Sequence, residues 1–174
     1  MTMRIARISR DRSGLAALEF AMILPLLVVI LFGSFEVFGL MIADMKIVAA
    51  ADATADLIAQ QNNVTTASVN DIITATQLTV EPLPLAQLGV AIASVTFDST
   101  TGNPSLSWTQ SSGNGAIANP VALATGLGSK GESVIIVRVN YAYQSPLKLF
   151  LPITINLAEL SFARPRLVST IVHN

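Results

Sequence analysis

The sequence predicts an α+β fold: a long N-terminal helix, its first half long enough to cross a membrane, carries an antiparallel sheet. Three features point there. Phe20 to Ala43 is an apolar run interrupted only by Glu36, the Ala-rich segment after it keeps a helical period, and beyond Pro84 the period turns alternating. Residues 1–14 form a basic leader, 15–43 the span and 44–174 a single domain on the far side.

The leader carries Arg4, Arg7, Arg10 and Arg12 against Asp11, a net charge of +3 before the amino terminus is counted. The 24 residues from Phe20 to Ala43 would make about 36 Å of helix at ~1.5 Å per residue, against a hydrocarbon core of ~30 Å. Secretory signal cores run ~7–15 residues, so this stretch is too long for one. Only Lys46 follows the span closely, and no Lys or Arg occurs from Ile47 to Ser129, so the positive-inside bias predicts a cytoplasmic N-terminus. Past the lipid the helix continues. Ala43, Ile47, Ala50, Thr54, Leu57 or Ile58, and Gln61 recur at steps of three or four, with Asp44, Asp52 and Asp56 on the wetter side, giving one rod from about Leu15 to Gln61. The Gln60 to Asn63 run ends it. A second, short helix is expected to start at Ser68, whose S-x-x-D pattern with Asp71 precedes Ile72, Ile73 and Leu78, and to end before Pro82 and Pro84.

Leu88 to Phe97 reads as the first main strand, Asp98 to Asn103 as a turn, and the alternation around Leu106 and Trp108 as the returning arm of a hairpin. Ser111 to Gly131 is a loop with a helical turn expected after Pro120. The strongest strand is Ser133 to Tyr143, where Ile135, Val137, Val139, Tyr141 and Tyr143 share a face. A last strand-like stretch runs from about Leu157 to Val172, and Pro165 makes it an edge or a broken pair.

Composition excludes several functions. Charged residues make up 12% of the chain, where about a quarter is usual, and the net charge of -1 leaves no basic stripe for nucleic acid. With no Cys and one His, thiolate or two-His metal sites and Cys nucleophiles are ruled out, and no cofactor is implied. Gly126, Gly128 and Gly131 spell G-x-G-x-x-G, but the run opens a strand rather than a helix, unlike a dinucleotide fingerprint. Asn63 to Thr65 matches a glycosylation sequon that a helix-ending Asn63 explains as well. His173 has no Ser or Asp tied to it by spacing, and Trp108 with the two Tyr reads as sheet core. No set of acid, base and metal ligands assembles, so no enzyme is predicted.

At the head of the span the sequence reads Gly14, Leu15, Ala16, Ala17, Leu18, Glu19, Phe20, behind the Arg-rich leader. This resembles a type IV prepilin cleavage signal. The wider run GLAALEFAMILPLLVVILFG, with Pro25 early in the span, is similar to the TadE/TadG-like proteins of tight adherence (Tad) pilus systems. The strand ending VNYAYQSPL and the late FARPR element resemble that family's extracytoplasmic region, where strands lie against the long helix. The resemblance implies a pseudopilin or minor pilin acting in pilus assembly. A prepilin peptidase would cut between Gly14 and Leu15 on the cytoplasmic side, Glu19 would meet the freed amine of a neighbouring subunit, and Phe20 and Pro25 would share in the subunit contact. It also implies other pilins, pseudopilins and an inner-membrane assembly platform as partners. The chain would cross the inner membrane once with its C-terminal domain in the periplasm, incorporation in the fibre being left open.

The residues allow a second reading, an uncleaved single-span anchor displaying an adhesive or scaffolding domain, with Glu19 a carboxylate snorkelling at the interface. Glu36, 17 residues beyond Glu19, falls on a different helix face. It is expected near the outer interface rather than in a contact between subunits. Ala17 with Ala21, and Gly39 with Ala43, are small-residue pairs that permit close helix approach.

Overall fold

A computed structural model describes residues 13–174. The leader arginines, and with them the charge asymmetry across the span, lie outside the described residues. Helix α1 runs without a break over Ser13–Ala59, as the apolar run and the Ala-rich period require of a single rod. The short strand β1 (Asn63–Val64) and helix α2 (Thr66–Val80) follow. The main sheet contains β2 (Leu88–Phe97), β3 (Pro104–Gly113), β4 (Ser133–Tyr143) and β5 (Ile155–Ala163), in the antiparallel order β3-β2-β4-β5. A five-residue helix α3 (Pro120–Ala124) lies in the loop before β4, and β6 (Val172–His173) pairs parallel with β1.

Two corrections concern the turn after α1. The cap of α2 is Thr65, not Ser68: the Thr65 hydroxyl accepts the Ser68 N–H at 3.2 Å, and the Ser68 hydroxyl accepts the Thr65 N–H at 2.8 Å. A hydroxyl at the third helical position can close this reciprocal box as a carboxylate does, so the start moves three residues upstream of Ser68. Asn63 does not end the rod either. The helix stops at Ala59, and Asn63 joins β1.

Register explains the two-sided burial of β2. Val90 pairs with Val139 and Ile92 with Val137, on the face toward α1, while Ala93 pairs with Ile136 and Val95 with Val134 on the opposite face. The first set joins Tyr141, Tyr143, Trp108 and the helix residues Ala43, Ile47, Ala50, Ala51, Ala55 and Ile58 in the principal core. From the second set, Val95, Val134 and Ile136 pack with Phe97 and with Ala124 of α3, helped by Leu160. Alanine at Ala43, Ala50, Ala51 and Ala55 brings the helix backbone close to the sheet. At the crossing of α1 and α2, the buried hydroxyls of Thr54 and Thr76 meet at 2.5 Å, and each also bonds the carbonyl four residues back.

The chain's end ties down the end of the rod. Pro165 breaks the last strand-like stretch into β5 and β6. The next residue, Arg166, donates its N–H to the Ala59 carbonyl at 2.9 Å and pairs its guanidinium with Asp56, so the FARPR element supplies a C-terminal cap to α1. Near the chain's end, Trp108 Nε1–H donates to the Ile171 carbonyl at 2.9 Å, and its ring lies 5.7 Å from that of His173. Replacing Ile47 with Ala should therefore destabilise the domain by ~2–5 kcal/mol, whereas Leu78→Ala on the exposed face of α2 should change it by less than ~0.5 kcal/mol. Denaturant unfolding in detergent micelles, followed by the fluorescence of the single Trp108, measures both.

Candidate functional site

The candidate site is the first half of α1 together with the point where it joins the domain. Every residue from Leu15 to Phe32 is exposed, and the segment is apolar on all sides except at Glu19. A helix of this kind buries no face against its own domain, which suits it to lipid surroundings. It is long and apolar enough to cross a membrane. From Leu15 to Phe35 it measures about 31 Å at ~1.5 Å per residue, close to the ~30 Å of hydrocarbon.

The residues singled out at its head are arranged as follows. Gly14 and Leu15 lie in the first turn of α1, where backbone N–H groups have no helical acceptor and unwinding breaks few bonds. Glu19 and Phe20 are exposed one turn further on, and among the described residues nothing hydrogen-bonds to or pairs with the Glu19 carboxylate. Pro25 sits inside the helix and cannot donate to the Ala21 carbonyl. Gly14, Leu15, Glu19 and Phe20 thus lie at one end of the span and Pro25 at about its middle, and the side chains from Leu15 on are exposed.

Glu36 behaves differently. Only 1% of it is exposed, because the loop between β4 and β5 closes over it. Its Oε1 accepts the N–H of Leu149 at 2.8 Å, and its Oε2 accepts those of Phe150 at 2.9 Å and Leu151 at 2.7 Å. Three successive amides converge because Lys148 takes a left-handed backbone, φ +54°, which turns the chain inward at that point. The Lys148 N–H is received by the Ser145 hydroxyl at 3.5 Å, and its ammonium reaches the Gln144 side chain at 3.4 Å. The carboxylate thus clamps a loop more than a hundred residues away in sequence onto the rod. The outer-interface placement lacked this partner, which a lone Glu in an apolar run does not disclose.

One turn further, Gly39 lies beneath Tyr143: a Cβ at Gly39 would come within 2.9 Å of the Tyr143 hydroxyl. Ala43 is fully buried in the principal core. The Gly39 and Ala43 pair therefore serves the approach of helix to sheet within one chain, while Ala17 remains exposed beside Ala21 on the free half. Burial, and after it the charge of Glu36, raise the Tyr143 phenol pKa and keep it neutral. At the distal hairpin, Asp98 is lowered by the amide and hydroxyl of Thr101 and by the amide of Thr100, which hold its turn.

The remaining sequence motifs are structural in this fold. Gly126 and Gly131 adopt positive φ in turns before β4, and Gly128 packs against the Phe97 ring, so the glycine run shapes a loop. Thr65 of the sequon caps α2. His173 lies by Trp108 and reaches the Thr66 hydroxyl at 3.5 Å. Among the described residues no group of three or more His, Asp or Glu stands where it could hold a metal.

A lipid-length helix that continues into a domain and lies along an antiparallel sheet is the architecture of a pilin-like protein. The family model for TadE-like protein matches residues 14–56, so over about a quarter of its length, from Gly14 into the buried half of the rod, the chain is similar to TadE-like proteins. No curated protein and no solved structure matches the chain. The matched stretch includes Glu36, whose amide partners lie outside it. Glu36→Ala should leave the helix in place but free the loop. Amide exchange at Leu149, Phe150 and Leu151 should quicken about tenfold or more, with β2 amides unchanged, as read by hydrogen exchange mass spectrometry.

Proposed function

We propose that this protein is a pseudopilin or minor pilin of a Tad-type pilus, cut after Gly14 by a prepilin peptidase, and that it works in assembly rather than catalysis. The leader, residues 1–14, lies in the cytoplasm before the cut. Residues 15–43 cross the inner membrane, and residues 44–174 form a periplasmic domain. The observation that carries this reading is the first half of α1, exposed on every side from Leu15 and carrying a Glu19 that has no partner among the described residues. A carboxylate in a lipid-facing helix costs ~2.5–3.5 kcal/mol near the bilayer centre and less toward its edge. The new amine at Leu15 of a neighbouring subunit would offset that cost, and the pair would set the stagger between packed helices. The TadE-like match over residues 14–56 supports the same reading, since it covers the cut, the carboxylate and the rod together. Partners then follow by role: the peptidase at the first turn, other pilins and pseudopilins along the span, and an inner-membrane assembly platform beneath them.

Two substitutions test it. Gly14→Leu puts a branched side chain where the peptidase needs bare backbone. It should leave a full-length precursor in cells that carry the peptidase, with the mature species starting at Leu15 lost by mass spectrometry. An intact N-terminus on the unaltered protein would instead select the uncleaved anchor. Glu19→Gln keeps the shape and removes the charge. Membrane levels should be unchanged while crosslinking to the other pilins falls, and undiminished crosslinking at normal membrane levels would reject the pairing.

A further inference from the structure

The loop that Glu36 holds is itself greasy. Residues 147–153 read Leu-Lys-Leu-Phe-Leu-Pro-Ile, and the side chains of Leu147, Leu149, Phe150 and Ile153 are 39%, 61%, 44% and 67% exposed. Elsewhere the domain buries most residues of this kind in two cores and exposes others at scattered positions, such as Leu78, Leu106 and Leu167. Here four large apolar side chains of one short loop face outward beside the one part of the rod whose surroundings are lipid.

The placement of the loop along the rod is fixed. α1 and β4 run in opposite directions: Gly39 lies under Tyr143, whereas Asp52, further up the helix, accepts the hydroxyl of Ser161, which pairs with Val137. The end of β4 and the loop after it are therefore the part of the domain nearest the span. Phe150 reaches below Glu36 along the rod, since a Cβ at Gly33 would lie 3.8 Å from its ring. Gly33 is inside the stretch from Leu15 to Phe35 that matches the hydrocarbon thickness. The apolar face of the loop is thus continuous with the apolar face of the helix at the same depth.

We infer that the loop 147–153 is a second membrane contact, its apolar side chains immersed in the outer leaflet beside the span, with Glu36 fixing how deep it sits. This inference rests on the reading of α1 as a membrane span. Lipid, rather than a protein partner, is the occupant because the loop lies against a helix surface that is itself lipid-facing. The flanking Lys148 ammonium, drawn back to Gln144, is the group an interface accommodates by snorkelling to the headgroups. The loop's own amides are satisfied by Glu36, so its backbone can approach hydrocarbon without unpaired donors at Leu149, Phe150 and Leu151.

The chain has no Cys, so single cysteines can be placed at will. Leu149→Cys and Ile153→Cys, with Val28→Cys in the span and Leu106→Cys on the distal hairpin as references, would carry nitroxide labels. The full chain is reconstituted at one copy per nanodisc of phosphatidylethanolamine and phosphatidylglycerol. Collisions with oxygen, which partitions into lipid, are compared with those of a water-soluble nickel chelate. Labels at 149 and 153 should favour oxygen, as at 28, while the label at 106 favours the chelate. A chelate preference at 149 and 153 with oxygen preference kept at 28 would put the loop in water and overturn the inference while sparing the span. Shielding of 149 and 153 from both reagents would mean that protein covers the loop, which also overturns it. A chelate preference at 28 would remove the span and this inference together.

Discussion

A single rod cannot be apolar all round and also carry a domain on one side unless something fixes where the change occurs. In this chain the change falls at Glu36. Below it α1 has no buried face down to Leu15 apart from Gly33, half-covered by Phe150; above it one face is buried at Ala43, Ile47, Ala50, Thr54 and Ile58. A carboxylate serves that boundary well because it accepts several amide hydrogens at once, and three successive ones come from a loop that otherwise has no ladder to join. An apolar residue at this position would leave those amides without acceptors beside the membrane, where unsatisfied backbone is most costly.

Once the boundary is set, the geometry above it follows from side-chain size. Gly39 admits the Tyr143 hydroxyl, and the four buried alanines from Ala43 to Ala55 bring the sheet close to the helix axis. The far end is closed by Arg166, whose N–H takes the Ala59 carbonyl while its guanidinium meets Asp56. The rod is thus fastened to the domain at both ends of its buried half by polar contacts, and between them by apolar packing. Such a domain moves with its helix as one body.

Local patterns were legible in the sequence to the extent that a single period decides them. The apolar run and the Ala-rich stripe defined one rod, and apolar, β-branched runs bounded by turn residues located β2 and β4 to the residue, although β2 is buried on both faces where alternation implied one. Pro120 and Pro165 marked the helical turn and the break between β5 and β6 for reasons of backbone chemistry. What escaped was pairing at a distance. Ser68 looked like a cap because at the third helical position of the box it uses a hydroxyl in a role more often filled by Glu, while the cap itself is Thr65. Gly39 and Ala43 looked like a helix-packing pair because the sequence does not say that Tyr143 comes to meet them. Glu36 gave no sign of its partners, which are backbone amides and carry no side-chain signature.

The two carboxylates of α1 show how differently one residue type can be used on one helix. Glu36 is held at the outer boundary by three amides of its own chain, and its position is determined before any other protein arrives. Glu19, at the opposite end of the lipid-length segment, has no partner among the described residues, although the same chain could have carried Gln or Ala there at lower cost to insertion. On the proposed pairing, that charge would be met by the amine of a neighbouring subunit, outside the folded domain. The free energy that Glu36 contributes is already spent within the subunit, whereas that of Glu19 remains available to a neighbour. On the proposed function, contacts that order one subunit against the next would lie toward the Glu19 end of the span, while the attitude of the domain is set at its Glu36 end.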